Sequence, residues 1–219
     1  RIANVLYKRC FPVYNPLYFL YKTMTDRKVI GLLREQIRPG MRVVDIGGNI
    51  GFYTVIFSRL VGEGGQVSVF EPDVVNFGHL MKKTKGLRNV VQKNAAVAER
   101  SGTIRLYRSD ELNVDHQTYD TGEGRSFVEV TCVALDDYFS AGGNVDFIKM
   151  DVQGYEYYAL LGMKELIGRS GPLTLFTEFW PYGLCRAGVE PDKFLRLLNE
   201  LGFEITFCES SAETDWIAE

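Results

Sequence analysis

The feature that most constrains the fold is R-V-V-D-I-G-G-N-I-G-F-Y-T, which occupies residues 42–54 of the 219-residue chain. A short apolar run that ends in an acid, followed by a glycine cluster and more apolar residues, is typical of a buried parallel strand, a tight loop and a helix. Open α/β sheets bind their ligands at such loops, at the carboxyl ends of the strands. The stretch therefore predicts a ligand-binding loop in an α/β domain.

The residues of this loop favour one kind of cofactor over another. No register supplies the G-x-G-x-x-G spacing of a dinucleotide fingerprint, which counts against a pyrophosphate ligand. The loop provides Asp45 at the strand end, bare backbone at Gly47, Gly48 and Gly51, and the side-chain amide of Asn49. An acid with no basic residue in the loop suits a cofactor whose reactive end is cationic, as the sulfonium and ammonium groups of S-adenosylmethionine are.

Two later strand ends supply further candidate contacts to a cofactor. The second predicted strand ends in Glu71, which lies 20 residues beyond Gly51, near the spacing at which an acid meets a ribose diol. The third predicted strand, residues 89–97, contains Asn94 and Ala95, which are small or polar where an adenine edge would lie. The alternation of strands and helices predicts a parallel, doubly wound sheet with helices on both faces.

A second motif, D-F-I-K-M-D-V-Q-G-Y-E, spans residues 146–156. Period two places Lys149 and Asp151 on one face of a predicted buried strand. Such a charged pair is costly to bury unless each member meets a partner, so it is either a structural ion pair or a functional one. The fifth predicted strand ends near Glu178, and parallel strands of a doubly wound sheet would bring Asp45, Asp151 and Glu178 to one rim.

Two other segments allow more than one interpretation. Residues 1–40 are aromatic-rich and then helical from about Thr25 to Ile37, and are predicted to be a leader ahead of the domain formed by residues 41–219. The leader either packs over the edge of the sheet or presents an amphipathic surface to a membrane or a substrate. The polar segment 109–125, between two alternating strands, predicts a mobile lid. His116 within it is either a surface residue or a catalytic one.

Composition excludes several classes of function. With 25 basic and 28 acidic residues, the net charge of −3 gives no reason to expect a nucleic-acid partner. The four cysteines are scattered without a C-x-x-C pair, which predicts free thiols in a reducing, cytoplasmic compartment and no metal site. No apolar run approaches the roughly 18 residues of a membrane span.

Taken together, these motifs resemble the FkbM family of S-adenosylmethionine-dependent methyltransferases over residues 42–179. The specific parts are V-D-I-G-G-N-I-G-F-Y-T, F-E-P-D, N-A-A-V, and above all D-F-I-K-M-D-V-Q-G-Y-E followed by L-L-G. The resemblance implies a seven-stranded, Rossmann-like class I methyltransferase fold. It also implies S-adenosylmethionine as cofactor and, usually, transfer to a hydroxyl oxygen of a natural product, a sugar or a lipid-linked glycan.

By matching position, the resemblance assigns five residues to the cofactor: Asp45, Gly47, Asn49, Gly51 and Glu71. It places Lys149, Asp151 and Glu156 in the second motif. The family commonly has Glu where this chain has Gln153, so the resemblance supports no acidic role at that position.

The leading functional hypothesis is an O-methyltransferase that acts on a small molecule, sugar or glycan. Asp151, which also borders the cofactor, and Glu178 would hold the acceptor hydroxyl, with Lys149 as their organiser. Three carboxylates in one crevice repel, so at least one pKa is expected to be raised unless a cation intervenes, and the raised carboxylate would accept the alcohol proton. The alternatives are a non-catalytic module that binds S-adenosylmethionine or a partner, and a nucleotide-dependent oxidoreductase.

Overall fold

The computed structural model describes residues 6–7, 9–107, 117–119, 126–209 and 214–218. The strands in this part of the chain are β1 (Arg42–Ile46), β2 (Gln66–Phe70), β3 (Val90–Lys93), β4 (Ala96–Val97), β5 (Gly102–Tyr107), β6 (Phe127–Val133), β7 (Phe147–Met150), β8 (Thr174–Glu178), β9 (Ile205–Glu209) and β10 (Thr214–Ala218). The helices are α1 (Phe11–Thr25), α2 (Arg27–Gln36), α3 (Phe52–Val61), α4 (Val74–Lys83), α5 (Leu135–Tyr138), α6 (Glu156–Leu161), α7 (Lys164–Arg169), α8 (Pro181–Arg186) and α9 (Pro191–Glu200).

Seven strands form the main sheet, in the order β3-β2-β1-β7-β8-β10-β9. Neighbours from β3 to β8 pair in parallel, whereas β10 is antiparallel to both β8 and β9. The predicted seven-stranded, mostly parallel sheet is therefore confirmed. The last strand, β10, lies between β8 and β9.

Side chains alternate across the sheet and bury against helices on both faces. Val43 and Phe147 point to the face covered by α2, α3 and α4, whereas their chain neighbours Val44 and Ile148 pack in the core on the side of α6, α7 and α9. Strands covered on both faces read as continuous apolar runs, as β1 and β7 do. The doubly wound arrangement with helices on both faces follows from this pattern.

The third predicted strand, residues 89–97, is wrong as a single element. The chain leaves the main sheet after β3 and enters a three-stranded sheet in the order β4-β6-β5. The break falls at Asn94 and Ala95. Ala95 is fully buried, and the Asn94 side chain donates a hydrogen bond to the loop that follows β2. The antiparallel pairing of β5 and β6, which flank the candidate lid, agrees with their alternating sequences.

The aromatic segment before the predicted helix at Thr25 is itself helical. It forms α1, which has Pro12 in its first turn. Asp26 separates α1 from α2. Tyr7 and Tyr14 are buried against Ile50 of the glycine loop, so the segment packs over the ligand-binding end of the sheet. Within the described residues, no helix is both long and apolar enough to cross a membrane.

Candidate active site

Four acidic side chains lie at or just beyond the carboxyl ends of neighbouring strands of the main sheet. Asp45 lies in β1, Glu71 follows β2, Asp151 follows β7 and Glu178 ends β8. Asp45 pairs in register with Lys149 of β7, so β1 and β7 are neighbours in the sheet. The topology thus brings the sequence-predicted acids to one rim.

The glycine loop turns sharply between β1 and α3. The N–H groups of Gly47 and Gly48 both donate to the carbonyl of Phe70 at 3.0 Å, which ties the loop to the end of β2. Gly47 has a φ of +77°, and a Cβ there would collide with the carbonyl oxygen of Asp151. Gly51, the residue directly before α3, has the left-handed conformation, with a φ of +87°. Backbone positions of this kind favour glycine.

Glu71 is buried between two backbone donors. Its carboxylate accepts hydrogen bonds from the N–H of Asn49 at 2.8 Å and of Asp73 at 2.9 Å. Burial raises the pKa of Glu71 to about 7, and these two bonds only partly offset that effect. The side chain of Asn94 donates to the carbonyls of Glu71 at 2.7 Å and Pro72 at 3.0 Å, so Asn94 fixes the loop that carries Glu71.

Lys149 is the buried cation of the site. Its Nζ lies 3.1 Å from the carbonyl oxygen of Gly47, 3.7 Å from Oδ1 of Asp45 and 3.5 Å from Oδ2 of Asp151. The second oxygen of Asp45 accepts a hydrogen bond from the Thr54 hydroxyl at 2.6 Å. Lys149 therefore links the glycine loop to both carboxylates.

The pKa values of the two carboxylates beside Lys149 shift in opposite directions. Burial raises the pKa of Asp45, although Lys149 and Thr54 oppose the shift. Burial also disfavours the ionised form of Asp151, but Lys149 and Gln153 outweigh it and lower the Asp151 pKa. The predicted raised carboxylate is thus Asp45, whereas Asp151, whose side chain is 42% exposed, is ionised at neutral pH.

Gln153 joins the carboxylates of Asp151 and Glu178 at the rim of the sheet. Its Nε2 donates to Oδ1 of Asp151 at 2.9 Å and lies 3.4 Å from Oε2 of Glu178. Its φ is +54°, a left-handed conformation that is uncommon outside glycine. The Tyr119 hydroxyl donates to the Gln153 carbonyl at 2.9 Å. A neutral amide therefore bridges two acids at the position where the family commonly has a third acid.

Tyr53, Lys22 and Asp26 border this site and were not predicted from the sequence. The ring of Tyr53 has Nζ of Lys149 5.5 Å from its centroid, and its hydroxyl donates to Asp26 at 2.5 Å. Lys22 forms an ion pair with Asp26 and, like Lys149, helps to lower the pKa of Asp151. The aromatic position after Phe52 in the first motif was the only sequence signal for Tyr53. Lys22, in α1, and Asp26, between α1 and α2, come from a segment that the motifs do not include.

Glu156 is a fully buried carboxyl group that borders the turn after β7. Its Oε1 accepts hydrogen bonds from the N–H groups of Val152 at 3.1 Å and Gly154 at 3.3 Å. Its Oε2 is buried without a hydrogen-bond partner among the described residues. Through these bonds Glu156 holds the turn that positions Gln153. Burial raises the pKa of Glu156 to about 7.

We expect Glu156→Gln to stabilise the protein at pH 8 and to have little effect at pH 5. The pKa of Glu156 is higher in the folded protein than in the unfolded protein, so the folded protein binds more protons at pH values between these two pKa values. Stability is therefore lost as pH rises through this range toward 7. The amide removes up to about 3 kcal/mol of this loss. Urea unfolding at both pH values measures it, with the exposed Glu165→Gln as control. Equal free energies of unfolding for Glu156→Gln and wild type at pH 8 would contradict the expectation.

Some predicted features stay predictions. His116 and most of the candidate lid, residues 109–125, lie outside the described residues, and only residues 117–119 of that segment are described. Cys10, Cys132 and Cys185 are free thiols. In the described part of the chain, no group of three or more His, Cys, Asp or Glu residues is arranged to hold a metal ion.

The sheet order, the glycine loop and the acids at the strand ends define a class I methyltransferase fold. The chain belongs to the FkbM methyltransferase family: residues 45–205 match the Methyltransferase FkbM domain. This match confirms the S-adenosylmethionine-dependent methyltransferase family that the motifs resembled.

Solved structures share the fold at low sequence identity. A putative rRNA methylase from Clostridium thermocellum has a TM-score of 0.57 and 11% identity, covering 89% of this chain and 94% of that one. Aeropyrum pernix fibrillarin, solved with natively bound S-adenosyl-L-methionine, has a TM-score of 0.56 and 13% identity, covering 88% and 74%.

Curated relatives match shorter segments. The ubiquinone/menaquinone biosynthesis C-methyltransferase UbiE of Shewanella pealeana is 41% identical over 63 residues, which are 26% of this chain and 25% of that protein. A probable cobalt-precorrin-6B C(15)-methyltransferase of Thermoplasma acidophilum is 46% identical over 46 residues, 21% and 23% of the two chains. The matches thus span about a quarter of each relative.

Proposed function

We propose that the chain transfers the methyl group of S-adenosylmethionine to a hydroxyl oxygen on a small molecule, sugar or glycan in the cytoplasm. The observation that carries this proposal is the half-exposed, ionised Asp151, held between Lys149 and Gln153 at the rim of the sheet. A hydroxyl nucleophile must lose a proton during methylation, and a carboxylate at this place can take it. The free thiols at Cys10, Cys132 and Cys185 support a reducing compartment.

The residues of the glycine loop fit S-adenosylmethionine. Asn49 Oδ1 is a buried acceptor without a hydrogen-bond partner among the described residues, and Asp45 Oδ1 has the ion pair with Lys149 but no hydrogen bond. A ligand ammonium group would satisfy such atoms. Each oxygen of Glu71 spends one acceptor position on a backbone N–H and keeps another for a ribose hydroxyl. When bound, the cofactor supplies an electrophilic methyl group on a sulfonium.

We further propose how the predicted residues divide the work. Asp45, Glu71 and the backbone of Gly47, Gly48 and Gly51 hold the cofactor. Asn49 contributes its amide, Asn94 holds the Glu71 loop in place, and the buried Ala95 is proposed to border the adenine.

Asp151 and Glu178 receive the acceptor hydroxyl, and Asp151 takes its proton as the oxygen–carbon bond forms. Lys149 and Gln153 fix the position of Asp151, so the main contribution of the protein is alignment of the two reactants. Leader residues 1–40 and lid residues 109–125, with His116, are proposed to shape the acceptor pocket.

A turnover assay with methyl-labelled S-adenosylmethionine and a panel of hydroxylated acceptors tests the proposal. Mass spectrometry detects the labelled methyl group, and NMR assigns it to oxygen, nitrogen or carbon. We expect transfer to oxygen. Transfer only to nitrogen or carbon would overturn the O-methylation proposal, and cofactor binding without turnover on any acceptor would favour the non-catalytic alternative.

We expect cofactor affinity to rise about tenfold per pH unit up to pH 7 and to level off above it. Glu71 has a pKa of about 7 in the unliganded protein, and ribose hydroxyls donate to its ionised form, so binding releases a proton. Glu71→Gln should abolish this slope and weaken binding at pH 8 by about 1.5–3 kcal/mol. Calorimetry with S-adenosylhomocysteine measures both effects.

The exposed Glu99→Gln serves as the matched control for this measurement and should retain the wild-type pH slope. A wild-type affinity that is flat from pH 5 to 8, or identical affinities for Glu71→Gln and wild type, would remove Glu71 from the cofactor site.

A further inference from the structure

Helix α1 is apolar on two faces, only one of which packs on the domain. On the inner face, the Phe19 and Phe52 rings meet edge to face at 5.0 Å, and Tyr14 lies buried against Ile50. A helix that is apolar all round is normally covered all round, because exposed apolar area is unfavourable in water. The outer face of α1 therefore requires an explanation.

The outer face carries a continuous apolar stripe. Its members recur at helical spacing and are 47–71% exposed in the described structure: Val13, Leu17, Leu20, Tyr21 and Met24. Scattered single apolar residues on a surface are ordinary, but a contiguous set on one helix marks a contact surface. We call this set the α1 stripe.

The charge around the α1 stripe indicates what covers it. Residues 1–34 contain seven Lys or Arg residues and one acid, in a chain whose net charge is −3. The acid, Asp26, is paired with Lys22, whereas Arg27 and Lys28 are exposed directly beyond the end of α1. A second copy of the chain would bring the same positive charge to a two-fold interface, which repels. An anionic lipid surface is complementary to both the apolar stripe and its basic border.

We propose that the α1 stripe docks on an anionic lipid membrane, with α1 lying in the plane of the interface. The 15-residue helix is too short to span a bilayer, which needs about 20 residues, but its length suits interfacial binding. Tyr18 and Lys22, on other faces of α1, lie within electrostatic range of Asp151. Docking of the outer face therefore leaves Tyr18 and Lys22 on the domain side of α1, where they lie near Ile50 and Tyr53. The docking does not depend on the proposed hydroxyl chemistry.

Vesicle co-sedimentation tests this inference with the whole chain. We expect binding to vesicles of phosphatidylcholine mixed with phosphatidylglycerol, and much weaker binding to phosphatidylcholine alone. Arg27→Gln/Lys28→Gln should weaken binding about 30-fold, at roughly fivefold for each basic residue removed. Leu17→Ser/Leu20→Ser should weaken it by about tenfold or more. Added salt should weaken the wild-type binding as well.

The control is Val91→Ser/Phe127→Ser, which changes two exposed apolar side chains on β3 and β6 and should bind as wild type does. Circular dichroism verifies that each variant is folded. The inference is overturned if the chain does not bind anionic vesicles, or if the stripe and control variants bind equally. Light scattering that shows a dimer broken by Leu17→Ser/Leu20→Ser, without vesicle binding, would assign the stripe to self-association and also overturn it.

Discussion

Lys149→Met is expected to lower the free energy of unfolding by about 3–5 kcal/mol at pH 8, which is the usual cost of breaking a buried ion pair. The Lys149 side chain is 4% exposed and that of Asp45 is fully buried, so water cannot replace the lost cation. Asp151, at the exposed end of the cluster, keeps its bond to Gln153 and contributes less. For a chain of this length, the melting temperature should fall on the order of 10 °C.

The pH dependence of this loss identifies its cause. Without Lys149, the pKa of Asp45 rises further above its unfolded value, so the variant binds an extra proton when folded and regains stability as pH falls. Urea unfolding at pH 5 and pH 8 should therefore show a smaller deficit at pH 5. Asp45→Asn in the same chain should recover part of the loss, which a double-mutant cycle measures.

The exposed Lys164→Met is the control, because this lysine has no buried partner within the described part of the chain. A deficit below about 1 kcal/mol, or one that is equal at both pH values, would show that Lys149 does not compensate a buried charge.

The parallel sheet and its acidic rim were predictable because their signals are local. A run such as V-V-D-I or F-I-K-M specifies a strand buried on both faces, and parallel pairing places the carboxyl ends of successive strands at one edge. Asp45, Glu71 and Asp151 follow directly from that rule. The pairing of Lys149 with Asp45 follows as well, once the first and fourth strands are neighbours.

Helix α1 was not predictable because its local preferences oppose a helix. Aromatic residues are only moderate helix formers, and the segment contains Pro12 and Pro16. Packing of Tyr14 on Ile50 and of Phe19 on Phe52 supplies the missing stabilisation, and this contact joins parts of the chain that are distant in sequence. Tertiary packing thus decided the structure of the segment.

The role of Gln153 was also beyond sequence reasoning. Its bridge between Asp151 and Glu178 depends on a left-handed backbone conformation that the sequence V-Q-G-Y does not specify at the glutamine. The turn is held by Glu156 from within the helix that follows and by Tyr119 from the β5–β6 connection. A resemblance showed only that the expected acid was missing, whereas the structure shows an amide donor that holds two acids together.

Asp151→Asn is expected to slow single-turnover methyl transfer by about 10²–10⁴-fold at saturating cofactor, the usual contribution of a positioned base. The amide keeps the shape of the side chain but cannot take the proton of the acceptor hydroxyl. Because the alcohol oxygen becomes strongly acidic as the methyl group arrives, a weakly basic carboxylate is sufficient. This prediction rests on the proposed O-methylation.

The pH profile distinguishes Asp151 as the base from a carboxylate whose pKa is raised. Lys149 and Gln153 lower the pKa of Asp151, so the group is fully ionised above pH 5 and the wild-type rate should be flat from pH 5 to 9. A rate that rises between pH 5 and 7 at saturating cofactor would point to a different base with a raised pKa, since Asp151 has no proton left to lose there. An Asp151→Asn enzyme with the wild-type rate would leave alignment alone to explain catalysis. Glu200→Gln, an amide replacement of an exposed carboxylate at the C-terminal end of α9, should match wild type throughout.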